Sequence, residues 1–544
     1  MNQGEPAGER QVLSAIGRRQ FLTGAAAAAA VLAVGCSSSD SAGQATVGTV
    51  ASGTDASTTT ALAEPKNVPE LSGDPFSLGV ASGDPTAEAV ILWTRLAPDP
   101  LAADGAGGMP QEEADVAWEI ASDAAFAKVV GAGVFTTTAA HGHSAHVDAT
   151  GLEPGTDYHY RFHYADWTSP VGRTRTLPSG SPERFGVAVV NCQMFEAGRY
   201  GAYQHLVDED VDVVLHLGDY IYEYAAGTSA RSPRPDRLLE TLADYRLRYA
   251  SYKSDPQLQA AHARHPFVLT WDDHEVANNY MGDVLPGDPD PARGQARKTA
   301  AYQGWWENLP SRGGPPTDGA LAVYQDFAAG DLVRIHVLDE RQDAAAPPCR
   351  DTAQPGTDFG NCDARESEDR TRLGEDQEAW LAKSLAKGGV TWNLLGNPVV
   401  LAGVDGGSDQ AAYYLDTWDG FPQARTRLIE QLAGADNPVV LTGDYHAGMV
   451  LDVNAVPFDP TSKLVATEFM APPISSLLFP ADVSARTPQL RQQINHHGYM
   501  TVAVTPEELT VVYRCIDDVG DPKTAISTNA TWVVTAGDPL ARKA

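Results

Sequence analysis

The sequence predicts an α/β sandwich preceded by a smaller all-β domain, and three observations carry that prediction. RFGVAVVNC, VDVVLHLGDYIYEY and FVLTWDDHEVANNY lie between residues 184 and 280, and PVVLTGDYH follows at 438–446. These apolar runs are rich in Val, Leu and Phe, the composition of strands buried on both faces of a sheet. Tyr200, Tyr203, Leu206 and Val207 stand at helical spacing between the first two runs, which makes a parallel strand-helix-strand unit. Between Phe76 and about Pro178, short alternating strands recur at regular spacing instead, the pattern of an antiparallel sandwich.

A chain of 544 residues has material for roughly two to four domains of ~150 residues each. Its 39 basic and 71 acidic residues give a net charge of -32. Such a surface repels nucleic acid and anionic membranes, whose binding relies on Lys and Arg neutralising phosphates. A phosphate-bearing substrate must be drawn in locally, and metal ions are the expected means.

Residues 1–36 read as an export signal. Arg18 and Arg19 open RRQFL, followed by Thr23, Gly24, six alanines and VLAV. This is a twin-arginine motif before an apolar segment too short to span a bilayer comfortably. Export of the folded protein by the twin-arginine translocation machinery is expected. Ala33-Val34-Gly35-Cys36 resembles a lipoprotein box with Leu32 one place early. A lipid anchor through Cys36 at the outer face of the membrane and release as a secreted protein both stay open. Residues 37–70, mostly Ser, Thr, Ala and Gly, lack the apolar surface needed to fold and read as a flexible tether.

In 71–180 the expected strands are AVILWTRL, VAWEIA, GVFTTTAA, AHVDATGL, YHYRFHY and GRTRTLP. LEPGTDYHYRF resembles the corner of a fibronectin type III or immunoglobulin-like domain, where Tyr158 or Tyr160 would brace a turn. His141, His143 and His146 stand in polar strand and turn sequence and read as exposed residues rather than metal ligands. This domain is expected to pack and position.

Residues 181–544 are the expected catalytic domain. Strands at 185–191, 211–217, 333–338, 392–396 and 439–442 alternate with helices at 198–210, 237–252, 296–308, 375–387 and 424–432. Reactive groups in such sheets gather where strands end. Cys192, Asp219, Tyr222, Asp273, His274, Asp444 and His446 all stand there. Singly, each has a bland alternative: a buried hydrophobic thiol, a common Gly-Asp turn, an ion-pair network. Four such groups at successive strand ends outweigh those alternatives. His496, His497, Arg246 and Arg248 read as surface or helix-packing residues. Cys349 and Cys362, in a Pro-, Gly- and Asp-rich loop, are able to close a disulfide in an oxidising compartment, which leaves Cys515 buried and inert. The segment 344–372 reads as a surface loop near the site.

GDYIY at 218–222 matches the GDxxY motif of purple acid phosphatases, within the calcineurin-like metallophosphoesterase class. WDDHEVANNY and TGDYH fill the places of that class's GNH and GHxH motifs. With NCQ, LADYRLRY and DTWDGFPQAR, the chain closely resembles the PhoD family of secreted alkaline phosphatases and phosphodiesterases over roughly residues 70–530. The resemblance implies a four-layer αββα metallophosphoesterase sandwich in the catalytic domain. A carboxylate shared by two cations lets them clamp one phosphate, and Asp219 is the natural bridge. A phenolate from Tyr222 and a thiolate from Cys192 suit a ferric ion. The resemblance implies Fe3+ held by Cys192, Asp219, Tyr222 and His446. Asp273 and Asp444 replace the class's asparagine and histidine, and oxygen donors favour calcium or magnesium over zinc. The family's association with Ca2+ agrees. Asn278 and Asn279 are candidates for added carbonyl ligands or for sealing a loop. His274 looks like the class histidine that touches the phosphoryl group or protonates the leaving oxygen. Arg341, Asn397 and Asp419 are weaker candidates for phosphate or outer contacts.

The implied reaction is hydrolysis of a phosphate ester by a metal-bound hydroxide, without a serine nucleophile, in a protein expected to be a monomer. A phospholipase D-type phosphodiesterase is the alternative within the same chemistry, and a cell-surface binding protein is the non-enzymatic one. Tyr445, Ala447 and Gly448, and the paired prolines of FMAPPISS, depart from the family pattern and put substrate preference in doubt.

Overall fold

The computed structural model describes residues 70–226, 231–286, 290–349, 359–404, 413–479 and 481–544. The expected signal, Cys36 and nearly all of the tether lie outside the described residues. Among the described residues no helix is long and apolar enough to cross a membrane.

Eight strands come first: β1 (Val80–Gly83), β2 (Ala89–Arg95), β3 (Glu113–Ala121), β4 (Val129–Thr138), β5 (Ser144–Thr150), β6 (Asp157–Tyr164), β7 (Trp167–Thr168) and β8 (Gly172–Arg175). They divide between two sheets. One has the order β4-β3-β6-β7, with β8 also pairing β6. Strict alternation along β6 sends Tyr158, Tyr160, Phe162 and Tyr164 inward. There they meet Val80, Val90, Leu92 and Val147 of β1, β2 and β5. Tyr158 Oη accepts the Glu153 N–H at 2.8 Å, so Tyr158 rather than Tyr160 braces the corner. The three histidines are not exposed, as the polar context suggested. His143 is buried against Thr137, and His146 stacks on Trp306 with Nε2 2.9 Å from the Trp306 carbonyl. His141 meets the edge of the same indole. The partners of His141 and His146, at Trp306 and Leu309, are remote in sequence, which is why local polarity misread these two.

The remaining strands are β9 (Phe185–Val190), β10 (Val213–Leu217), β11 (Pro266–Thr270), β12 (Gln325–Ala329), β13 (Val333–Val337), β14 (Phe359–Gly360), β15 (Trp392–Asn397), β16 (Tyr413–Tyr414), β17 (Pro438–Thr442), β18 (Gly448–Asn454), β19 (Leu464–Met470), β20 (Leu490–Ile494), β21 (Gly498–Val504), β22 (Glu508–Ile516), β23 (Ile526–Thr535) and β24 (Arg542–Lys543). A ten-stranded sheet runs β24-β23-β22-β21-β9-β10-β11-β1-β2-β5, and a seven-stranded sheet runs β12-β13-β15-β17-β19-β18-β20. The first strands of the chain thus extend the sheet of the later ones, because β1 pairs in parallel with β11.

Both central sheets are buried on both faces, as their unbroken apolar runs require. Val187, Val189, Leu215 and Leu217 share one core with Val333, Ile335, Leu394 and Val439 of the opposite sheet. The outer face of the larger sheet packs Ala188, Val190 and Val214 against helices Leu242–Lys253, Pro256–Arg264 and Pro291–Asn308. That of the smaller sheet packs Leu395 and Val440 against helices Gly374–Leu385 and Pro422–Leu432. The layers are therefore helix, sheet, sheet, helix.

Capping side chains account for two of the shifted helix starts, whereas the helix expected at 198–210 runs only Gly201–Leu206 and has no side-chain cap. Thr241 and Asp244 form a reciprocal capping box that starts the helix at Leu242, not 237. Asp290 caps the next long helix before Pro291, five residues earlier than the apolar periodicity suggested. The helix Pro256–Arg264, capped by Asp255, had no counterpart among the expected elements. Cys349 and Cys362 are disulfide bonded, while Cys192 and Cys515 are free and buried.

Candidate metal and phosphate site

The C-terminal ends of β9, β10, β11 and β17 point to one rim that spans both sheets. Cys192 follows β9, Asp219 follows β10, Asp273 and His274 follow β11, and Asp444 and His446 follow β17. Cys192, Asp219, Asp444 and His446 all hold left-handed backbone, with φ of 52, 57, 68 and 54°. Such conformations cost of order 1–3 kcal/mol at non-glycine residues and persist where the surroundings fix them. Gly218 also has positive φ (101°), and a Cβ there would lie 2.5 Å from the Asp272 nitrogen. Only glycine fits that turn.

Among the described residues, two groups of side chains converge closely enough to hold an ion: Cys192, Asp219 and His446, and Asp219, Asp273 and His274. In each group the donor atoms lie within 4.8 Å of one another, and Asp219 belongs to both. Tyr222 joins the first, its Oη donating to Asp219 Oδ2 at 2.6 Å and standing 3.1 Å from His446 Nε2. Ser476 Oγ lies 2.8 Å from both Tyr222 Oη and the Cys192 carbonyl.

The residues fit cations. Asp219 Oδ1, Asp272 Oδ2 and Asp273 Oδ1 are buried without a hydrogen-bond partner, an arrangement that is costly unless positive charge meets them. Burial and then Arg341 act in opposite directions on Asp272, whose carboxyl ends well above the usual range, with Asp273 adding to the rise. Burial also lifts Asp444 well above it, and Asp273 to about 6. Burial, Asp219 and Asp444 push the Cys192 thiol up. Burial works against charge on Asp219 and on His274 as well. Around Asp219, His274, His446 and Tyr222 prevail and hold the carboxylate below its usual range. Around His274, Asp273, Asp219 and Glu223 prevail and raise the imidazole well above its own. Thiolate, phenol and imidazole suit a redox-capable transition ion, and the carboxylates suit a hard one.

Residues 187–513 match the sequence model of the PhoD-like phosphatase family, and residues 60–178 match that of the PhoD-like phosphatase N-terminal domain. The chain belongs to the PhoD-like phosphatase family. It is 38% identical over 491 residues to alkaline phosphatase D of Bacillus subtilis (strain 168), covering 86% of this chain and 82% of that one. A solved structure described as the structure of PhoD superposes with a TM-score of 0.82 at 37% identity, covering 88% of this chain and 93% of the other. The protein is thus a phosphoric ester hydrolase.

Within this PhoD-like site, the outlying candidates take specific places. Arg341 is fully buried and committed: Nε donates to Asp272 Oδ1 at 2.6 Å, and the two terminal nitrogens reach Asp416 at 2.7 and 2.9 Å. It pairs with carboxylates behind the rim, the place of an outer contact. Asp419 pairs with Arg425, so it is Asp416, three residues earlier, that reaches the site's charge network. Asn278 and Asn279 contribute backbone N–H groups, to Glu223 Oε1 at 2.8 Å and Asp273 Oδ2 at 2.6 Å. Asn397, at the end of β15, donates to the Val399 carbonyl, and its Oδ1 is buried without a partner. Arg248, read as a packing residue, binds the Tyr222 carbonyl and so holds the turn that carries the phenol.

Sequence reasoning missed Glu223, Asp272, Asp416 and Ser476. Glu223 and Asp272 adjoin motif residues and stand as acids in YIYEY and WDDHE, while Asp416 opens DTWDGFPQAR and Ser476 ends FMAPPISS, stretches in which neither residue was singled out. At the rim Tyr445 packs edge-on to Phe479, whose N–H donates to the His446 carbonyl. Leu477, directly after Ser476, is 63% exposed.

Proposed function

We propose that this chain is an exported, metal-dependent phosphomonoesterase or phosphodiesterase with an iron and calcium centre. Iron would be held by Cys192, Asp219, Tyr222 and His446, and calcium by Asp219, Asp273 and Asp444. The observation that supports this reading is the double membership of Asp219, the only carboxylate among the described residues that belongs to both ion-sized groups. Bound cations would supply positive charge to the phosphate oxygens and lower the pKa of water.

The chain's own side chains do the rest. The left-handed turns hold the acidic donors in place, and the Arg341 pairings balance the acids behind them. His274 stands beside Asp219 and Asp273, where it protonates the oxygen of the departing alcohol. The twin-arginine sequence supports export, with Cys36 as the lipid anchor if its box is used. Leu477 is the one specific feature that favours a phospholipase D-type substrate, and a single leucine makes a smaller apolar surface than a lipid-binding rim needs.

The test is metal analysis of the exported protein, with hydrolysis of p-nitrophenyl phosphate and bis-p-nitrophenyl phosphate measured with and without calcium. Bound iron with calcium-dependent turnover supports the reading. Metal-free protein with full activity overturns it.

A further inference from the structure

His274 is gripped by three consecutive residues. The Tyr222 ring lies against one side of the imidazole with centroids 4.1 Å apart, and the Tyr224 ring meets it edge-on at 5.2 Å. Between them in sequence, Glu223 Oε2 is 2.7 Å from Nδ1. The glutamate is itself fixed. Its other oxygen accepts the Asn278 N–H at 2.8 Å, and its side chain is 2% exposed. The backbone of the segment is tied at three points: the Tyr222 N–H donates to Tyr252 Oη at 3.1 Å, Arg248 holds the Tyr222 carbonyl, and the Leu239 N–H donates to the Glu223 carbonyl at 3.0 Å.

We propose that Glu223 is a positioning residue for ester cleavage, acting through His274. A carboxylate only accepts, so Nδ1 must carry the donated proton, and Nε2 is left as the ring nitrogen that faces the substrate. The inference rests on the proposed role of His274. In the step concerned, the bond between phosphorus and the leaving oxygen breaks as water oxygen bonds to phosphorus. The leaving oxygen takes the Nε2 proton, and the proton lost by water returns to Nε2 through solvent. Glu223 keeps its charge throughout and sets the ring's tautomer and direction. The sequence pattern agrees with this division: Tyr222 and Glu223 are adjacent, so one turn serves both the ion-sized group and the proton donor.

The test compares phenyl phosphate, whose alcohol needs a proton to leave, with p-nitrophenyl phosphate, whose alcohol leaves without one. The metal-loaded wild type, Glu223→Gln, His274→Asn and the double variant are assayed on both. In Glu223→Gln, kcat on phenyl phosphate is expected to fall about 10- to 100-fold further than on p-nitrophenyl phosphate, within the range of general acid catalysis. His274→Asn should show the same selectivity, and the double variant should lose no more than His274→Asn alone, because groups that act as a unit are not additive. Metal content and melting temperature should match wild type in all three. Equal losses on both substrates, or losses that multiply in the double variant, overturn the inference while leaving His274 as the acid. A His274→Asn protein without leaving-group selectivity, or without its metals, removes the acid role itself.

Discussion

Tyr222 Oη donates a 2.6 Å hydrogen bond to Asp219 Oδ2, which ties the phenol to the carboxylate shared by both ion-sized groups. Tyr222→Phe keeps the ring that packs on His274 and removes only this oxygen. The expected result is a folded protein with kcat lowered by about 10- to 100-fold, the usual cost of losing a group that tunes a metal site. The phenolate contribution to any visible absorption of the iron-loaded protein should disappear with it, leaving only what the Cys192 thiolate supplies. A variant with wild-type kcat and an unchanged spectrum would remove Tyr222 from the centre.

Arg341 is 0% exposed and bonded to both Asp272 and Asp416. Removing one partner of a buried ion pair costs about 3–5 kcal/mol, because the other charge is left uncompensated. Arg341→Met should therefore lose about that much stability in urea unfolding, and adding Asp416→Asn should recover part of it. KM should stay near wild type in protein that remains folded. Unchanged stability with a raised KM would place Arg341 on the substrate instead.

Gly218→Ala tests the turn before Asp219. The added methyl would meet the backbone nitrogen of Asp272 in a conformation that L residues rarely adopt. The strand ends of β10 and β11 must then move apart, at a cost of at least ~1–3 kcal/mol. Reduced metal content and lower melting temperature are expected together, and a fully active alanine variant would show that this approach is not needed.

Acid should weaken the fold through histidines held neutral by burial. His143 and His146 are each pushed down to about 4, burial being the largest cause for both. The unfolded chain, near 6.5, takes up protons that the folded state refuses between pH 6.5 and about 4. Stability thus falls as pH drops through that window, by up to about 3 kcal/mol for one such group. These groups contribute little slope above about pH 7.5. Melting curves from pH 7 to 4.5 check the trend, and His146→Gln should shallow it.

The reading of the chain was strongest where chemistry sits in a local motif. Cys192, Asp219, Tyr222, Asp273, His274, Asp444 and His446 were all legible as strand-end groups, because an apolar run fixes the strand and the next polar residues fix the rim. The charge network behind them was not. Arg341 finds Asp272 69 residues away and Asp416 75 residues away, and nothing local announces either partner. His141 and His146 failed for the same reason, since the Trp306 ring they meet lies more than 150 residues later. The starts at Leu242 and Pro291 differ from the apolar spacing because the capping side chains of Thr241 and Asp290 decide where those helices begin.

The parallel pairing of β1 with β11 joins Ser82 to Pro266, so the first strand among the described residues waits on that side for a partner made much later in synthesis. A chain cut near residue 180 therefore separates β1, β2 and β5 from the other strands of one ten-stranded sheet rather than parting two finished modules. The shortened catalytic piece would carry β11 as a bare edge with open N–H and C=O groups, an invitation to self-association. Recombinant work on the catalytic part is accordingly best begun upstream of Val80.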